Sequence, residues 1–199
     1  LAGNKAGYQA KLVDQLSKNR VDSISSFLQF AGNNYQMNIT YHSIPKTYID
    51  TIRNSMQDEF GHPVEVSIAG ETGYGPCRCC LKQFQPGEKR LLFSYAPVNA
   101  ANPYNEIGPV YIHEDCTTYQ DNSIFPPEVK NGRLLIRLVL RCYNKERRMI
   151  LARFVKDNNE AEKIIGELFA DPLIEFIHIR NAVYQCFIAE VRKDQGTGS

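Results

Sequence analysis

The side chains best suited to chemistry in this 199-residue chain are six cysteines and four histidines, and their spacing is uneven. Cys77, Cys79 and Cys80 crowd into the stretch GPCRCCLKQFQPGEK, from Gly75 to Lys89. Cys77-x-x-Cys80 has the spacing of a metal knuckle, in which a tight turn brings two thiolates to one ion at about 2.3 Å. His113-x-x-Cys116 offers a second half-site. The four together make a Cys3His set, an accepted tetrahedral zinc site, and soft thiolates favour zinc over magnesium or calcium. The expectation is that these four converge while Cys79, between the paired positions of the turn, points away. Knuckles commonly place Gly soon after the second Cys, and here Leu81 follows. Two other readings stay open: unligated thiols packed in a core, since free Cys is among the most buried residue types, and disulfides, which an oxidising compartment would allow.

A nucleophile is a further possibility. Cys77 stands beside Arg78, and a neighbouring guanidinium lowers a thiol pKa. Cys186 lies in the last predicted strand, near His178 and Asn181 in sequence. Approach of Cys77 to His178 would create a nucleophile–base pair, but such partners meet in space and no local signature specifies them. Strand alternation groups His178 with Ile174, Phe176 and Arg180, which equally suits a partly buried structural histidine.

Charge concentrates elsewhere. Residues 133–156, RLLIRLVLRCYNKERRMILARFVK, hold eight basic residues and one acid, Glu146. Alternation separates Leu134, Ile136, Leu138, Leu140 and Cys142 from Arg133, Arg137 and Arg141. The bland reading is a solvated sheet face paired with acids from other segments. The functional ones are an anion pocket or a nucleic-acid surface. Arginine suits phosphate and carboxylate through its bidentate fork, while Tyr143 and Phe154 are the only rings available for base stacking. A small anionic ligand therefore ranks above nucleic acid. The loop from Ala96 to Pro109, APVNAANPYNEIGP, is long for a connection within a sheet, and long loops carry binding residues. Tyr104, Asn105 and Glu106 could face a ligand there, or Pro103, Gly108 and Pro109 could simply shape a rigid turn.

Several elements must position these groups. Residues 5–30 have helical spacing and end at the GNN of Gly32 to Asn34, so residues 1–36 read as an N-terminal helical extension. The main domain spans 37–195. Strands are predicted at Asn38–His42, Pro63–Ile68, Arg90–Tyr95, Pro109–His113, Arg133–Tyr143, Met149–Val155, Leu173–Arg180 and Tyr184–Arg192. Pro45 can open a helix whose stripe would be Ile49, Ile52, Met56 and Phe60. Asp157 and Glu160 match a capping box ahead of a helix burying Ala161, Ile164, Ile165, Leu168 and Phe169. Frequent hairpins argue for an α+β fold, a mostly antiparallel sheet with helices packed on it. Residues 196–199, GTGS, read as a flexible tail or expression scar.

Totals exclude some classes. A formal net charge of +1 gives no global field for DNA or a membrane surface, and no apolar run approaches the roughly 20 residues of a membrane span. So few cysteines in a chain this long argue for a reducing compartment, the cytoplasm, although a chain that begins at Leu1 is also compatible with a removed signal peptide.

Four motifs occur in order: GPCRCCL, PGEKRLLFSY, PYNEIGPVYIHEDC and FIHIRNAVYQCFIAEVR. Over residues 37–193 the chain resembles the bacterial family of domain of unknown function 1203. Positions matching its motifs are Pro76, Cys77, Arg78, Gly87, Glu88, Pro103, Tyr104, Gly108, Pro109, Asn181 and Cys186. The resemblance implies a small bacterial domain and carries over no catalytic residue. The reading that follows is a non-enzymatic ligand- or partner-binding domain with a zinc site on Cys77, Cys80, His113 and Cys116, and Arg78, Tyr104, Arg137, Arg141 and Asn181 as ligand contacts. The alternatives are a cysteine- or zinc-dependent enzyme acting on a small anion, with Cys77, His178 and Cys186 as catalytic candidates, and a nucleic-acid module using the 133–156 hairpin.

Overall fold

The computed structural model describes residues 38–71, 75–132 and 137–194. The expected N-terminal helices, Arg133 with the start of its strand, and the 196–199 tail lie outside the described residues. The described elements are β1 (Ile39–His42), α1 (Lys46–Ser55), β2 (Glu65–Ile68), β3 (Lys89–Tyr95), β4 (Gly108–His113) and a short α2 (Pro127–Lys130). There follow β5 (Leu138–Tyr143), β6 (Met149–Val155), a 3-10 turn (Asn158–Glu160), α3 (Ala161–Phe169), β7 (Phe176–Asn181) and β8 (Phe187–Lys193). Strands pair antiparallel throughout, in a five-stranded sheet of order β1-β8-β7-β5-β6 and a three-stranded sheet of order β2-β3-β4. The fold is α+β and mostly antiparallel sheet, as the hairpin-rich sequence predicts.

Period-two alternation builds the larger sheet. Leu138, Leu140 and Cys142 of β5 enter the core with Ile177 and Ile179 of β7 and Val191 of β8. Helix α3 covers that face with Ala161, Ile165, Leu168 and Phe169, a helical stripe. The opposite face of β5 carries Val139, Arg141 and Tyr143. Across the ladder Val139 faces Arg180, Arg141 faces His178 and Tyr143 faces Phe176. Strand β7 is buried along its whole length, so His178 and Arg180 need polar partners inside the protein. A second core joins Ile49 and Ile52 of α1, Leu91 and Phe93 of β3, Ile112 of β4, Phe84 and the cysteine turn.

Two local expectations are corrected. The α1 stripe stops after Ile52: Met56 turns left-handed at φ 50°, its N–H closing on Ile52 O, and both Met56 and Phe60 are exposed. The cause is Asp58, whose Oδ1 accepts the N–H groups of Phe60 at 3.0 Å and His62 at 2.9 Å and hooks the chain toward β2. Asp157 does cap, but through the Asn159 N–H, so it starts the 3-10 turn and not α3, which has no side-chain cap.

Candidate metal centre

The cysteine stretch forms a tight knuckle between β2 and β3. Cys77 O accepts the Leu81 N–H at 2.9 Å and the Cys77 N–H reaches Lys82 O at 2.8 Å, closing a turn that aims Cys77 and Cys80 the same way. Leu81 holds φ at 59°, the left-handed geometry for which knuckles usually recruit Gly. Its side chain, 1% exposed, is buried in the first core, which compensates for the backbone cost. The Arg78 N–H donates to Tyr111 O and docks the knuckle on β4. Strand β4 delivers His113 at its last residue, and the chain turns back to present Cys116.

These elements bring Cys77, Cys80, His113 and Cys116 together, with one ligand atom from each lying within 4.8 Å of all the others. Cys77 Sγ lies 3.8 Å from Cys116 Sγ, and Cys80 Sγ lies 3.4 Å from His113 Nδ1. The set could hold a metal ion. Neighbouring groups orient these four side chains. Glu88 Oε2 meets His113 Nε2 at 2.9 Å, which leaves Nδ1 to face the thiols. Backbone N–H groups of Cys79 and His113 point at Cys77 Sγ, at 3.3 and 3.2 Å. Arg53, from the last turn of α1, donates to Cys116 Sγ at 3.2 Å and also to the carbonyls of His113 and Cys116. Sequence reasoning missed Arg53 and Glu88 as supports. Glu88 at least carried a signal, since it stands in the PGEK motif.

The ionisable groups of the set shift in different directions. Burial resists ionisation of Cys77, but hydrogen bonds from Cys116, Cys79, Cys80 and His113 outweigh it and pull its thiol down. The contact with Cys77 resists ionisation of Cys116, yet hydrogen bonds from Cys79, Cys80 and His113 bring it to about 5. Burial opposes a charged His113, whereas bonding to Cys116 and Cys77 pushes it up to about 10. Cys80 shifts the other way: its contacts with Cys116 and Cys77, together with burial, push its thiol up. For Cys142, in the first core with no such partners, burial pushes the thiol up to about 12.

Cys79 departs from expectation. It lies outside the ligand set but does not turn away, since its Sγ stays 3.8 Å from Cys116 O. Its contacts with Cys116 and Cys77, together with burial, push its thiol up. All six cysteines are free thiols.

The other candidates go to different places. Arg78 is buried and donates from Nε to Phe187 O at 2.7 Å and from Nη1 to Pro76 O, clasping the knuckle to β8. His178 is 0% exposed, ringed by Tyr143, Phe176 and Phe187, with Nε2 3.2 Å from Glu190. Burial pushes its pKa down. Cys77 is not among these contacts, because His178 belongs to the five-stranded sheet and Cys77 to the knuckle. Asn181 Oδ1 accepts the N–H groups of Val183 and Tyr184, so it shapes the β7–β8 turn, and Cys186 Sγ rests 3.6 Å from Tyr184 O. Arg137 precedes β5, its carbonyl accepting the Ala182 N–H at 3.0 Å. Tyr104 and Arg141 do meet. They line one cavity of about 440 Å³ beneath the 96–109 loop, together with Glu106 and Gln185.

No helix among the described residues is long and apolar enough to cross a membrane. No curated protein and no solved structure matches the chain. Residues 74–193 match the family model described as "Protein of unknown function (DUF1203)", a match that starts inside the main domain, since β1 and α1 precede it. With more than half of its length matched, the chain belongs to the DUF1203 family.

Proposed function

We propose that this chain is a non-enzymatic binding domain of a reducing, cytoplasmic environment, whose second core is held by a structural zinc ion on Cys77, Cys80, His113 and Cys116. One observation carries the reading: four soft donors from two separate segments have their ligand atoms within 4.8 Å of one another, with His113 oriented by Glu88. Soft thiolates favour zinc over hard-oxygen cations. Four protein donors complete a tetrahedral shell and leave no open position for a substrate or an activated water, which argues against a zinc hydrolase. A Cys77 nucleophile lacks a base other than His113, itself a member of the same set. The nucleic-acid reading is weakened because Arg141 is engaged by Glu106 and Gln185, and Arg147 by the carbonyls of Val98 and Asn99. A small anionic ligand remains the favoured partner class.

Metal content and thiol titration of freshly purified protein test this. The expected result is one zinc per chain, with Cys79, Cys142 and Cys186 unligated. Cys80→Ser should release the metal and lower the melting temperature, while Cys79→Ser should keep the metal. Metal-free protein that folds with unchanged stability would return the four residues to packing.

A further inference from the structure

The 440 Å³ cavity under the 96–109 loop has the size of a small-molecule site, for which about 300–1,000 Å³ is usual. Its polar end is unusual in composition. Arg141 and Glu106 line it, and Arg180, outside the lining, reaches the same Glu106 carboxylate. Arg141 Nη1 donates to both Glu106 oxygens, at 2.9 and 3.0 Å, and Arg180 Nη2 pairs with Glu106 Oε1. Arg180 has a 5% exposed side chain; its Nη1 donates to Gln185 O at 3.0 Å, while its Nε has no hydrogen-bond partner among the described residues. Glu190, the partner of the neighbouring His178, is also engaged by Arg192. The trio thus carries one net positive charge, with Arg180 itself largely out of water, where an uncompensated charge is costly. Burial accordingly weighs against the charge on Arg180.

The carboxylate is also the movable member of the trio. Arg141 and Arg180 stand on adjacent central strands, β5 and β7. Glu106, 41% exposed, stands on the loop, outside any helix or strand. Away from the arginines the cavity wall turns apolar, with Val139, Met149, Ala152 and the Pro103–Tyr104 edge. A second cavity, of about 270 Å³, offers no such excess, because its Glu190 and Arg192 pair with each other and Arg147 is held by carbonyls.

We propose that this cavity binds a small organic monocarboxylate, whose carboxylate replaces that of Glu106 on Arg141 and Arg180 while its apolar body lies along Val139, Met149 and Ala152. Glu106 serves as an internal stand-in that holds the site in shape until the ligand displaces it. The planar bidentate fork of arginine favours carboxylate geometry, and the apolar wall excludes a bare inorganic anion as the preferred ligand. The inference rests on the reading of the chain as a ligand-binding domain and supplies the ligand class.

Calorimetric titration of the full chain with benzoate, phenylacetate and hexanoate tests it, with benzamide and inorganic phosphate as controls. At least one of the three acids is expected to bind saturably, and benzamide and phosphate are expected to bind more weakly. Glu106→Gln removes the internal competitor and should tighten binding, by about tenfold if the stand-in occupies the arginines nine-tenths of the time. Arg141→Lys keeps the charge but loses the fork, and should weaken binding. Both positions are partly exposed, and circular dichroism checks that each variant is folded. No binding by any of the three acids overturns the proposal. So does Glu106→Gln weakening the acids, or phosphate matching them. Zinc content measured on the same samples separates the two readings: acid binding without metal sinks only the zinc site, and metal without acid binding sinks only this cavity.

Discussion

Glu88 gives the cysteine cluster its most direct test at the level of one side chain. Its Oε2, 2.9 Å from His113 Nε2, fixes which imidazole nitrogen faces the thiols. Glu88→Gln keeps the size but weakens that bond, and outer partners of this kind are worth about 10–100-fold in metal affinity. Competition with a chromophoric chelator should show a loss of that order with the fold intact; unchanged affinity would mean that Glu88 does not orient a ligand. Asp58 makes the matching pH prediction. Burial of its side chain raises the pKa, but the N–H groups of His62, Ser94 and Phe60 outweigh this and hold it at about 2, below the usual 3.8. A carboxylate depressed in the folded state stabilises the protein fully above the unfolded value, near pH 4, and loses that contribution as pH falls toward 2. Acid titration of Asp58→Asn should show lower stability at neutral pH than the parent, and a shallower fall between about pH 4 and 2.

Single elements show what the sequence could and could not announce. The β5 alternation was legible, because a strand with one apolar face repeats every two residues: Leu138, Leu140 and Cys142 all enter the core. The Cys77, Cys80, His113 and Cys116 set was legible too, because a four-residue turn fixes each half-site locally. What could not be read was the far end of each polar contact. Arg141 was visible as a cation, but its partner Glu106 and its neighbour Arg180 come from segments that only the folded sheet brings near. His178 was readable as structural, but its complete burial depends on rings from three strands. The α1 stripe was overread because Asp58, a side chain and not a periodicity, ends the helix. The knuckle turn yields a prediction at this scale. Leu81→Gly would relieve about 1 kcal/mol of left-handed strain, but would delete a buried leucine worth about 2–5 kcal/mol. Packing wins, so chemical denaturation should show net destabilisation. A stabilised variant would mean that the turn geometry, and not the core contact, governs this position.

Across the whole main domain, the two cores differ in what closes them. The first has a five-stranded sheet with α3 laid on it, and its closure is hydrophobic: Leu140, Ile165, Phe169, Ile177 and Val191 fill one continuous cluster. The second has a three-stranded sheet, the ten-residue helix α1, and the cysteine turn. Small units of this kind commonly rely on a metal. Thiols and an imidazole facing one another make poor apolar packing unless a cation unites them, so the stability of the second core should depend on the ion far more than that of the first. With the proposed zinc bound, its binding and local folding would be coupled, and stability need not be uniform across the molecule. Hydrogen exchange of the full chain, with and without a zinc chelator, makes this measurable. Removing the metal should speed exchange at Cys77, Cys79, Leu81, Leu91, Ile112 and His113, whose amides sit on or beside the knuckle. Amides of β5, β7 and the β7 side of β8 should keep their protection. The knuckle also reaches β8 through Arg78 and its bond to Phe187 O, so any spread into the larger sheet should begin at Phe187 and reach β5 last. Uniform loss of protection on chelation would show one cooperative unit in which the metal supports both cores. Unchanged protection at the knuckle amides would show that the four side chains pack without help.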